Sequence, residues 1–130
     1  MILNSTDLKK IANESRSVRG KKLFCKYSDD DPGAALEFKS LNKVKISAIN
    51  TKEERIVVFN GKYKALSSEI VVNYELDGSD EELVINRKNL SIKYSPSSSC
   101  EVMSKTQNVQ KKLNSILNLI VINKSQGNKF

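Results

Sequence analysis

The stretch GKKLFCKY, residues 20–27, alternates lysines with bulky apolar side chains. In an extended chain successive side chains face opposite sides, so Lys22, Phe24 and Lys26 share one face and Leu23, Cys25 and Tyr27 the other. A cation, a ring and a cation in a row are the parts a sheet needs to hold nucleic acid. The ammonium groups meet phosphates, and the ring stacks on an unpaired base for about 1–3 kcal/mol.

Two further segments repeat the theme. Alternation sets Lys43 and Lys45 opposite Val44, Ile46 and Ala48. In VVFNGKYKA, Asn60 and Gly61 suit the positive-φ positions of a type I′ turn, which predicts a hairpin of 54–59 with 62–66. That hairpin turns Ile56, Val58, Tyr63 and Ala65 to the core and Arg55, Val57, Phe59, Lys62 and Lys64 to the other face. If the basic faces coincide, Lys22, Phe24, Lys26, Lys43 and Lys45 share one surface with Arg55, Phe59, Lys62 and Lys64. Arg16 and Arg19 would flank it from a preceding helix. The same residues also fit a plainer arrangement: phenylalanines buried under a helix, and solvated lysines that discourage pairing at sheet edges.

A second chemistry is suggested by DDDPGAALEFK, residues 29–39. Asp29, Asp30 and Asp31 followed by Glu37 and Lys39 resemble the D…ExK signature of PD-(D/E)xK nucleases, and the preceding helix with Glu14 is similar to small members of that superfamily. The resemblance implies an Asp and Glu37 on Mg²⁺, with Lys39 orienting the attacking water. Two features depart from the family: Asp31 and Glu37 are too close in sequence for the usual intervening hairpin, and strands, where the family has a helix, follow Lys39. Elsewhere the residues of catalysis are missing. The chain has no histidine to act as a general base or complete a zinc set, and no Gly-rich phosphate loop, so no metal or other cofactor is expected.

The elements that must position these groups follow from patterning. The chain has 130 residues, 38% of them apolar and 28% charged, which fits one folded domain. Residues 5–19 carry a Ser/Thr cap, a narrow apolar stripe and a Gly20 stop, and so predict a short helix. From 21 to 95 the period is two, with candidate strands at 21–27, 35–40, 43–50, 54–59, 62–66, 69–76, 82–86 and 90–95. SDDDPG, DGSD and NRKN read as turns. After SPSSS, the segment from Glu101 to about Lys124 returns to helical spacing through Val102, Val109, Leu113, Ile116, Leu117 and Ile120. The tail 125–130 is expected to fray. The expected fold is therefore α+β: an antiparallel sheet of about five to seven strands, with a short amino-terminal helix and a longer carboxy-terminal helix packed on it.

Lys and Arg outnumber Asp and Glu by 22 to 15, a net charge of +7, which favours anionic partners. The composition thus predicts a small, basic, non-enzymatic protein that binds nucleic acid without sequence specificity. The alternative is a protein-binding module, such as a phage or mobile-element factor, docking on a host protein through the acidic 69–82 segment or a sheet edge. The amino terminus has no apolar signal-like run, and ILNLIVI at 116–122 falls well short of the ~20 residues that span a bilayer. A cytoplasmic protein without membrane contact is expected, and its two cysteines, Cys25 and Cys100, are expected to stay reduced.

Overall fold

The structure is a computed structural model that describes residues 18–28, 31–40 and 42–127. Its strands are β1 (Lys22–Lys26), β2 (Ala34–Phe38), β3 (Lys43–Asn50), β4 (Arg55–Ala65), β5 (Glu69–Leu76), β6 (Ser79–Asn86), β7 (Ser91–Ile92) and β8 (Ser95–Met103); one helix follows, α1 (Val109–Gly127). Each strand pairs antiparallel with the next, and β8 returns to pair with β1, so the sheet closes into an eight-stranded up-and-down barrel.

Alternation then acquires an inside and an outside. Leu36, Phe38, Val44, Ile46, Val72 and Ile85 point inward and are buried. Phe38 meets Tyr63 edge-on, with ring centroids 4.8 Å apart. A second core lies on the outer wall, where Phe24, Ala35, Ile49 and Met103 pack against Val109 and Leu113 of α1, with Ile116, Leu117 and Ile120 alongside. The helix starts at the cap Asn108, whose Oδ1 accepts from the Lys111 N–H at 3.0 Å. Near its other end the Lys124 ammonium donates to the Thr51 carbonyl at 2.9 Å. The apolar stripe of α1 is thus as the spacing predicts, from Val109 onward.

The closed barrel corrects the open α+β sheet in several respects. Residues 54–59 and 62–66 are not two strands but one, β4, and Asn60-Gly61 is not a turn. Gly61 points inward, where an added Cβ would come within 2.7 Å of the Asn73 carbonyl oxygen; the glycine permits close approach of β5. The tight two-residue turn is instead Asp77-Gly78, both at positive φ, between β5 and β6. SPSSS is the start of β8: the hydroxyls of Ser97 and Ser98 donate across to the Tyr27 carbonyl at 3.1 and 2.9 Å, and Ser98 also meets the Ser95 hydroxyl. Val102, expected on the helix, belongs to β8 and is 62% exposed. Residues 5–17 of the expected amino-terminal helix lie outside the described residues.

The cysteines are also corrected. Cys25 and Cys100 are directly opposed in the β1/β8 register and form a disulfide, with Cα atoms 4.0 Å apart. The bond staples the seam at which the first and last strands close the barrel.

Candidate binding sites at the barrel mouth and on its outer wall

One half of the barrel interior is filled, and the other is not. Phe38, Tyr63, Val44, Ala65 and Ile85 pack the end that carries the β2–β3 and β4–β5 connections. Towards the other end the inward residues include Ala34, Ala48 and Val57, too small to meet across the lumen. A cavity of about 320 Å³ remains, walled by apolar side chains such as Leu36, Ile46, Phe59, Val72, Leu83 and Ile92. That size suits one small molecule, and eight strands give a barrel wide enough to hold one.

The mouth of this chamber is polar and locally braced. Tyr27, Asp31, Asn50 and Tyr74 line it. The Asp31 carboxylate accepts from the Tyr27 N–H at 2.8 Å and the Gly33 N–H at 3.2 Å, which ties the end of β1 to the approach to β2. Asn50 Oδ1 accepts from the Glu53 N–H at 2.9 Å and shapes the β3–β4 turn. Tyr74 stacks loosely on Phe59, with centroids 5.8 Å apart. Its phenol is pushed up to about 12, first by burial and then by the neighbouring Tyr27, to which it is hydrogen-bonded. Tyr27 and Leu76 remain about half exposed at the rim.

The residues singled out in the sequence are divided among four environments. Phe24 is buried, 5% exposed, beneath α1, and the Lys112 ammonium sits 4.5 Å from its ring centroid. Phe59 points into the lumen, on the opposite side of β4 from Lys62 and Lys64. Neither ring is on an exposed basic face: α1 covers Phe24, and an unbroken β4 reverses the sidedness of its first half, and so of Phe59, relative to a hairpin. Arg55 is exposed at the mouth end and pairs with Glu53. Lys22 donates to the Gln107 carbonyl, Lys26 lies exposed near the mouth end of β1, and Arg19 is exposed just before β1. Arg16 lies outside the described residues.

Four lysines do come together. Lys43 and Lys45 on β3, and Lys62 and Lys64 on β4, stand on the outer wall, with Lys43 directly opposite Lys62. Among the described residues none of the four forms an ion pair. Glu37, opposite Lys45, is paired with Lys39 at 3.0 Å, while Glu75, Asp80 and Glu81 line a surface depression together with Lys43 and Lys62.

Of the D…ExK residues, Glu14, Asp29 and Asp30 lie outside the described residues, and Asp31 does not converge with Glu37 and Lys39. Asp31 is at the mouth, while Glu37 and Lys39 are six or more residues further on, roughly 20 Å away along β2. Among the described residues no group of three or more Asp, Glu, Cys or His side chains could hold a metal ion.

The mouth residues Asn50 and Tyr74 were missed in the sequence, and Tyr27 was assigned to the core. A signal existed: the small inward residues Ala34 and Ala48, which are direct partners in the β2/β3 register, mark where a closed barrel must be hollow.

Comparison with models of known families, with curated proteins and with solved structures gives no match to this chain. What the fold and the site define is a closed up-and-down β-barrel with an apolar chamber open at one end and a helix packed on its outer wall.

Proposed function

We propose that the protein is a non-enzymatic binding protein that holds a small, mainly apolar molecule inside the barrel. The observation that carries this reading is the 320 Å³ chamber, apolar in its walls and polar only at its rim. An apolar body would displace poorly held water in the lumen, while Tyr27, Asn50 and Tyr74 would hydrogen-bond a single polar end at the mouth. The disulfide supports a setting outside the reducing cytosol, since such bonds persist in oxidising compartments. That differs from the cytoplasmic setting expected from the sequence. No helix among the described residues is long and apolar enough to cross a membrane.

The test is a titration with the apolar fluorophore N-phenyl-1-naphthylamine. Saturable binding at one site per chain is expected, and Ala48→Phe, which fills the lumen, should weaken it by about tenfold or more. Unsaturable binding, or binding unchanged by Ala48→Phe in a protein that still folds, would refute the lumen as the site.

A further inference from the structure

The four lysines on β3 and β4 are outward-facing, and edge protection does not account for them. In an open sheet, lysines guard exposed edges against pairing; a closed barrel has no edge to guard. Lys43 and Lys62 are directly opposed, an arrangement that brings Cβ atoms to about 5 Å and destabilises the strand pair through like-charge repulsion. Among the described residues neither forms an ion pair, although Glu75, Asp80 and Glu81 border the depression that Lys43 and Lys62 line. Along each strand the two lysines are spaced by two residues, and because they run in opposite directions from the Lys43–Lys62 pair, the four form a diagonal row of donors roughly 14 Å long on a convex wall. Around the closed end the cationic surface continues, with Lys21, Lys22, Lys39 and Lys105 gathered about Glu37.

We infer that this wall is a second site, separate from the lumen, and that it binds the phosphate backbone of duplex nucleic acid without reading sequence. A protein partner fits less well. Protein interfaces are anchored by buried aromatic or aliphatic side chains, and no exposed large apolar residue lies among the four lysines. Unpaired bases fit less well too, because Phe24 and Phe59 are turned away into the two cores. Cations alone suffice for a duplex, whose phosphates are regularly spaced and whose neutralisation releases counterions. The acidic β5–β6 hairpin bounds the site: Asn73 separates Lys62 from Glu82 in the register, so the duplex would lie over β3 and β4 and extend towards the closed end.

The experiment is fluorescence anisotropy of a short labelled DNA duplex with the full chain, across a salt series beginning at about 50 mM. Four phosphate contacts predict a log–log salt slope near −3.6. Lys62→Glu with Lys64→Glu should weaken binding about tenfold or more and reduce the slope by about two. Lys52→Glu with Lys93→Glu, an equal charge change outside the quartet, should alter affinity no more than about threefold. Binding of N-phenyl-1-naphthylamine by the Lys62/Lys64 variant should be unchanged, so that loss of one site is distinguishable from loss of the other. The inference is overturned by an absence of duplex binding at the lowest salt. It is equally overturned if the two double variants lose affinity alike, or if polyglutamate binds more tightly than the duplex.

Discussion

Tyr74 stands where the apolar chamber meets solvent, and its phenol is pushed up to about 12 by burial and by Tyr27. An unfolded tyrosine ionises near 10, so the folded chain holds the proton more tightly. The resulting stability is complete below about pH 10 and is lost as pH rises through about 12. Denaturant melts across that window should show an alkaline fall in stability that is shallower in Tyr74→Phe; an identical fall would mean that Tyr74 is not the buried phenol. Ser47 is a contrasting case. It lies on the outer face of β3 with Ile49, fully buried, and its hydroxyl has no hydrogen-bond partner among the described residues. A buried, unpaired hydroxyl costs about 1–3 kcal/mol, so Ser47→Ala should raise the urea midpoint, by about 1 kcal/mol in stability. A loss of stability would mean that the hydroxyl is satisfied. Neither residue was distinguishable in the sequence, because burial of one polar atom depends on what packs above it and not on its neighbours in the chain.

At the scale of elements, patterning was reliable where its signal was local. The bounds of β3 and β5, the alternation of β1, and the α1 stripe from Val109 to Ile120 all follow from period and residue type. Asn60-Gly61 misled because the same dipeptide serves either a turn or a close approach, and only the position of β5 decides between them. The choice has a measurable consequence. Gly61→Ala forces a Cβ against the Asn73 carbonyl oxygen and the Tyr74 side chain, and should destabilise the barrel by about 1–3 kcal/mol in a thermal or chemical melt. A type I′ turn at the surface would lose stability to the same substitution through its positive φ alone, so Asn60 is the control. In β4 Asn60 is exposed on the outer wall, and Asn60→Val should be tolerated, whereas it would disrupt a turn. The basic quartet was half legible for the same reason: Lys43 with Lys45, and Lys62 with Lys64, each follow from alternation. That their faces adjoin, and that the two rings leave the surface, depended on strand pairing and on the helix above Phe24.

At the scale of the whole molecule, closure is the property that patterning could not supply. Eight short strands of period two describe an open sheet equally well, and only the β1–β8 pairing makes an inside. The disulfide sits on that seam, and closing a long loop stabilises a fold mainly by restricting the unfolded chain. Reduction, or Cys25→Ser with Cys100→Ser, should therefore cost about 2–4 kcal/mol in chemical denaturation. No change would place the cysteines apart. The lysine quartet and its neighbours lie towards the filled end, while the open end carries both signs, with Asp31, Glu53, Glu54 and Asp77 beside Lys26, Lys52 and Arg55. The barrel is thereby a body with an apolar chamber at one end and a cationic wall towards the other. The chamber is the central claim, and intermolecular nuclear Overhauser effects between bound N-phenyl-1-naphthylamine and protein methyl groups test it most directly. Contacts to Ile46, Val57, Leu83 and Ile92 in the lumen are predicted. Contacts confined to exposed Leu119 and Ile122 on α1 would contradict it.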